Sequence, residues 1–237
     1  MELRRVDDAA ALAMAAAGLV VDAVQARPDA VLLAATGETP MGCYAELARR
    51  AFDSSRVRVA QLDEYTGVTE VDPRSLYGWM RRSLCDPLGI DEDRIIRLRP
   101  DADEASACRA YEVAVAAAGG VDLAILGLGP NGHLGFNEPP TDVDAPTREV
   151  ALTASSIESN GRYFAEAVPE RARTAGMNLI LAARRVVLLV SGSRKADILR
   201  RVLQAEPTPW LPASWLHQHP DAIVLADAAA LGDATHS

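Results

Sequence analysis

The sequence predicts an α/β fold: a single Rossmann-like domain over residues 1–237, with a mostly parallel sheet covered by helices on both faces. Three observations lead there. Short, wholly apolar runs alternate with longer helical patterns, turns rich in Gly and Pro separate them, and 49% of the 237 residues are hydrophobic, enough to bury a core. Strands buried on both faces read as continuous apolar runs, and their alternation with helices implies right-handed crossovers between parallel neighbours.

Each element follows in turn. Residues 6–26 start at Asp7 and Asp8 and continue as an apolar helical pattern that Pro28 ends, and "AVLLAA" at 30–35 then reads as the first buried sheet strand. "TGETP" turns on Gly37 and Pro40 into a helix, and "VRVAQLDE" at 57–64 is a second strand. "SLYGWMRRSLCDPLG" is a helix stopped by its Pro and Gly, followed by a short "RIIRL" and a helix over 103–118. The strand "VDLAILGL", a helix near 155–167, the strand "RVVLLVSG", a helix from about 194 and "AIVLAD" complete the series. Ligands of such sheets gather beyond the carboxyl ends of the strands, where "TGETP", "LDEY" and "GLGPNGH" fall.

Composition removes several function classes. A formal charge of −9 without a basic stripe argues against nucleic acid. The chain has no run of eighteen apolar residues, and "MELRRVDDAA" lacks the pattern of a signal peptide, so a soluble cytoplasmic protein that does not engage a membrane is expected. Cys43, Cys85 and Cys108 lack C-x-x-C spacing and are expected as buried thiols. His217 and His219 in "LHQHP" have no evident third ligand, so both are read as structural or as supports behind the site, and no metal site is expected.

"GLGPNGHLGFNEPP" at 127–140 spells G-x-G-x-x-G after a strand, yet it is no dinucleotide fingerprint. That fingerprint needs its third glycine to enter a helix facing pyrophosphate, whereas Gly135, Pro139, Pro140 and Pro146 prevent a long helix. What remains is a polar cluster, Asn131, His133, Asn137 and Glu138, on a loop at a strand's carboxyl end. A histidine with a carboxylate partner is suited to moving protons near neutral pH. Lys195 is the single lysine in a chain whose other basic residues are all arginine, which marks it as a position needing a compact ammonium.

"GLGPNGHLGFNEP", "QLDEYTGV", "LAATGETPMGCYAEL", "LTASSIESNGRYF" and "VLLVSGSRKADIL" together resemble the glucosamine-6-phosphate deaminase family over nearly the whole chain. The related 6-phosphogluconolactonases share the fold and the G-x-G-x-x-G-H core but differ where this chain has "FNEP". The resemblance implies that Asp63 removes the C2 proton of an open-chain amino sugar, and that His133 opens the ring with Glu138 and Asn131 completing its relay. Asn131 stands where some members have Asp, which leaves Glu138 as the anionic partner of His133. The resemblance gives Lys195 and Arg162 the phosphate. Thr36, Gly37 and Thr39 of "TGETP", and the backbone of "SGSRKA", offer further anion donors ahead of helices.

No metal or organic cofactor is implied, and the expected partner is a small amino-sugar phosphate. Glu38 departs from the small residue usual at its place. It either turns outward to solvent, the preferred reading, or marks a different amino-sugar substrate, and Tyr65 and Tyr77 belong either to the pocket or to the core. The rival readings are a deaminase for galactosamine 6-phosphate or another amino-sugar phosphate, a 6-phosphogluconolactonase, and a non-catalytic sugar-phosphate sensor. No DNA-binding helix precedes the strand at residue 30 to support the sensor. Val150, near Arg148 in "PTREV", replaces a second basic residue of allosterically activated members, so a monomer or small oligomer without such activation is expected.

Overall fold

The computed structural model describes residues 1–100 and 103–232, with the backbone alone at Tyr163. Its main sheet has seven strands, β1 (Glu2–Val6), β2 (Val31–Ala34), β3 (Arg58–Gln61), β5 (Ile95–Ile96), β6 (Leu123–Gly127), β9 (Arg185–Val190) and β10 (Ala222–Asp227). They lie in the order β1-β10-β9-β6-β2-β3-β5, and every neighbouring pair is parallel. Side chains of β2 alternate between two cores: Val31 and Leu33 face one, Leu32 and Ala34 the other. β9 and β10 alternate in the same way, so the sheet is covered on both faces, as the apolar runs require.

The connecting helices are α1 (Ala9–Ala26), α2 (Glu38–Leu47), α3 (Leu76–Met80), α4 (Glu104–Ala117), α5 (Ala154–Asn160), α6 (Met177–Leu181) and α7 (Ala196–Gln204). Asp8 caps α1 by accepting from the Ala11 amide at 2.8 Å, and Asp103 caps α4 by accepting from Ser106 at 3.0 Å. By length and composition α1 could cross a membrane, and its Leu12, Ala16, Ala17, Val20 and Val24 pack into the core. The three cysteines are free and buried, as expected.

Four expectations need correction. The first sheet strand is β1 at residues 2–6, which the polar text "ELRRV" conceals because it forms an exposed edge parallel to β10. The strand expected at 57–64 is two strands. β3 stays in the main sheet, while β4 (Asp63–Tyr65) pairs antiparallel with β8 (Arg171–Thr174), which in turn pairs with β7 (Arg148–Ala151) in a second, three-stranded sheet. Leu62 is the joint: its amide donates to Ala34 in one sheet, and its carbonyl accepts from Ala175 beside the other. The helix expected over 75–89 is α3 continued by a π-helical turn, Arg81–Cys85, and the one near 155–167 is α5 followed by a 3-10 turn that stops at Tyr163.

This topology fixes the site. From β2 the chain steps outward through β3 to β5, then returns to lay β6 on the other flank of β2. The direction of winding reverses between β2 and β6, and the loops leaving their carboxyl ends, 35–37 and 128–133, diverge around a crevice.

Candidate active site

A cavity of about 590 Å³ opens in that crevice. Its wall includes Thr36, Gly37, Thr39, Asp63, His133, Arg162 and Lys195, so seven of the nine site residues expected from the sequence meet in one space. The other two, Asn131 and Glu138, stand behind His133.

Asp63 is carried to the cavity by the jump of the chain from β3 to β4. It is 6% exposed, and its carboxylate has no hydrogen-bond partner among the described residues. Burial, with a smaller push from the neighbouring Glu64 charge, raises its pKa to about 8. Glu64 is the opposite case. It accepts from the amides of Tyr65, Leu76 and Tyr77, from Ser75 Oγ and from Gln61 Nε2, and so ties β4 to the start of α3. Of two adjacent acids, one is consumed by structure and the other is left bare beside the cavity.

The loop after β6 holds His133 through a tight turn in which Gly129 donates to the His133 carbonyl at 3.1 Å and Gly132 donates to Gly129 at 3.1 Å. The imidazole lies over Gly129, where an added Cβ would come within 2.0 Å of Cδ2 and 2.1 Å of Nε2. Only a glycine admits this ring. His133 Nδ1 faces Glu138 Oε2 at 3.2 Å, with Ser156 Oγ at 3.4 Å, and Asn131 Nδ2 donates to the same Glu138 oxygen at 2.7 Å. The Asn131 carbonyl oxygen also accepts from the His133 amide at 3.2 Å. Burial pushes the Glu138 pKa up, but hydrogen bonding and charge from His133, aided by Ser156 and Asn131, outweigh it and bring the carboxyl down to about 2. An ionised carboxylate can only accept, so Nδ1 carries the proton and, in the uncharged ring, Nε2 keeps its lone pair.

The cationic end of the cavity is built by the loops before α2 and α7. Gly37 and Gly192 precede the two helical segments with φ of 125° and 88°, conformations that glycine adopts without strain. Lys195 Nζ donates to the Leu128 carbonyl at 2.6 Å, and burial, then the nearby Arg194 and Arg162, lowers its pKa. Part of the second loop is already engaged: Ser191 Oγ and the Gly192 amide donate to the buried Asp227, and the Lys195 amide donates to the Gly192 carbonyl. Glu38 is exposed yet borders the cavity, where it reaches Arg194 at 3.7 Å, so it is not turned wholly out to solvent.

Tyr65 is both wall and core, with its ring 5.4 Å from Phe136, whereas Tyr77 is core, under the Arg97 guanidinium at 3.6 Å. His217 and His219 are structural: each Nε2 meets a backbone carbonyl at 2.8 Å. Among the described residues no group of three His, Cys, Asp or Glu is placed to hold a metal ion. Sequence reasoning missed Arg194, Arg201, Trp79 and Phe164 on the wall, Ser156 and Thr153 around Glu138, and Asp227 beneath the loop. Arg194, and Thr153, Ser156 and Phe164 of "LTASSIESNGRYF", lay inside quoted motifs without being singled out, whereas Arg201, Trp79 and Asp227 carry no local signal.

Residues 5–225 match the family model described as glucosamine-6-phosphate isomerases/6-phosphogluconolactonase. A glucosamine-6-phosphate deaminase of Streptomyces coelicolor is 41% identical over 97% of this chain and 91% of its own length, and one of Clostridium botulinum is 38% identical over 97% of each. A solved structure of a monomeric glucosamine-6-phosphate deaminase superposes with a TM-score of 0.94 at 35% identity, covering 98% of this chain and 99% of that one. The 6-phosphogluconolactonase of Leishmania guyanensis shares the fold, with a TM-score of 0.78 at 22% identity over 100% of this chain and 99% of its own. The chain belongs to the family of glucosamine-6-phosphate isomerases and 6-phosphogluconolactonases.

Proposed function

We propose that the protein is a glucosamine-6-phosphate deaminase, converting glucosamine 6-phosphate and water to fructose 6-phosphate and ammonia. The observation that carries this is the pairing of two separate proton-transfer groups in one cavity: a bare carboxylate, Asp63, and a carboxylate-backed imidazole, His133. His133 Nε2 takes the anomeric hydroxyl proton and delivers one to the ring oxygen, which opens the pyranose. Glu138 stabilises the transient imidazolium through Nδ1, Asn131 and Thr153 hold Glu138 in place, and Ser156 lies beside Nδ1.

The C2 hydrogen of the open form is acidified by the adjacent aldehyde, and Asp63 removes it. A carboxylate with its pKa raised to about 8 is a far stronger base than one in water. The substrate's C2 ammonium brings the counter-charge that Asp63 lacks, which favours the ionised carboxylate once substrate is bound. Return of the proton to C1 gives a ketose imine, and addition of water with loss of ammonia completes the reaction. Lys195 and Arg162, with Thr36, Thr39 and the start of α2, hold the phosphate.

Residues 1–237 act as one domain, in the cytoplasm, as a monomer or small oligomer, a reading supported by the monomeric deaminase structure at 35% identity. Ammonia and fructose 6-phosphate should appear stoichiometrically from glucosamine 6-phosphate without added metal, and not from Asp63→Asn. Turnover of galactosamine 6-phosphate in preference would move the assignment to that epimer. Hydrolysis of 6-phosphogluconolactone without ammonia release would replace it with the lactonase reaction.

A further inference from the structure

Glu38 and Arg194 stand on different loops, one opening α2 and the other preceding α7, and both border the cavity. Their charged groups approach to 3.7 Å with each side chain 70% exposed, and neither has another partner among the described residues. Arg162, Lys195 and Arg201 lie on the same wall, Arg162 and Arg201 without an ion pair among the described residues. Asp197, the other carboxylate at this end, is paired to Arg200 at 2.9 Å. Glu38 is thus the acid left facing a cluster of four cations.

Such a cluster suits a dianion, and a carboxylate fixed within it would repel one. The exposure of the pair supplies a way out, because neither side chain is locked by packing and Arg194 is long enough to change partner. We infer that Glu38 and Arg194 form a displaceable latch across the phosphate subsite: an incoming phosphate takes Arg194 from Glu38, so that Arg194 becomes an additional phosphate-holding cation and Glu38 sets the affinity threshold for dianions. The inference rests on the phosphate subsite of the proposed function and deepens it.

The latch has a signature that independent charges lack. If Glu38 competes with phosphate for Arg194, Arg194 contributes more to phosphate binding once Glu38 is neutral. Calorimetric titration of the wild type, Glu38→Gln, Arg194→Ala and the double variant with inorganic phosphate reads this directly. Glu38→Gln should tighten phosphate roughly three- to tenfold at physiological salt, the effect of removing one screened unit charge beside a dianion. Arg194→Ala should weaken it at least about threefold more in the Glu38→Gln background than in the wild type. Additive effects, or weaker phosphate binding by Glu38→Gln with an unchanged melting temperature, overturn the latch. Phosphate binding is read without turnover, so coupling in a protein that releases no ammonia would keep the latch and sink the proposed reaction. Ammonia release with additive effects would do the reverse.

Discussion

Replacing Asp63 with Asn should cost the protein its activity and make it more stable, and the second effect depends on pH. Asp63 is buried without a side-chain partner among the described residues and has its pKa raised from 3.8 to about 8, so between these values the unfolded chain is ionised there and the folded chain is protonated. The folded state therefore binds the extra proton. Its stabilising contribution is fully present below pH 3.8 and is lost as pH rises through about 8. At 1.36 kcal/mol per pKa unit, the climb from about pH 4 to pH 7 removes about 4 kcal/mol. That is an upper bound, because relaxation and water penetration reduce the penalty of a buried charge. Asn keeps the shape and never ionises. Even half the bound, about 2 kcal/mol, corresponds to a rise of about 4–8 °C in Tm for a chain of this size. Thermal melts of wild type and Asp63→Asn across about pH 4 to 8.5, beside ammonia release, test both effects. The gap should close toward about pH 4 and widen progressively up to about pH 8, while wild-type kcat/KM rises with pH through about 8 on the Asp63 limb. A variant no more stable than wild type at about pH 7.5, or a gap that ignores pH, would show that Asp63 is satisfied and ionised in the folded protein.

Three further outcomes follow from the same geometry. Gly129→Ala drives a Cβ into the His133 ring at 2.0 Å, so turnover should fall about a hundredfold while circular dichroism keeps the native spectrum; a loss under twofold contradicts the close approach. Asn131→Asp sets a second carboxylate on the Glu138 oxygen now 2.7 Å away, so one proton becomes shared and Glu138 should titrate well above its depressed value, read by carboxyl NMR; an unmoved Glu138 titration removes Asn131 from the relay. Lys195→Arg cannot keep the 2.6 Å contact to Leu128 and also present a compact charge, so KM for the sugar phosphate should rise about tenfold, with Lys195→Met worse; a wild-type KM for Lys195→Arg would make the lone lysine an accident of composition.

Much of this was legible in the sequence because it rests on short-range signals. The buried strand β2 is wholly apolar text, β6, β9 and β10 are apolar but for an end residue (Gly127, Arg185 and Asp227), and Asp8 announces α1 at the position where its side chain accepts from Ala11. The proline and glycine content after Gly132 ruled out a helix there, and the structure places a turn-rich loop holding His133 and Glu138. What stayed hidden has no periodicity to read. β1, β7 and β8 are short strands interrupted by arginine and glutamate, whose pairing depends on partners distant in sequence.

The second sheet is where that blindness matters for function. "VRVAQLDE" reads as one strand because nothing local tells Leu62 to change sheets. The change is enforced by β8 and by Ala175, more than a hundred residues away, which accept the chain after β3 has ended. A continuous strand would send Asp63 and Glu64 to opposite faces of the main sheet as ordinary alternating side chains. The jump instead turns Glu64 toward the start of α3, where five donors satisfy it, and leaves the Asp63 carboxylate buried beside the cavity with none among the described residues. The raised pKa of Asp63 is thus a product of long-range topology, although the family resemblance that "QLDEYTGV" helps to carry already pointed to the residue that bears it. This separates the two kinds of test. Substitutions at Asp63 probe the chemistry, while substitutions that weaken the β4–β8 pairing should relax the Asp63 environment toward water, lower its pKa and blunt its strength as a base with every cavity residue intact.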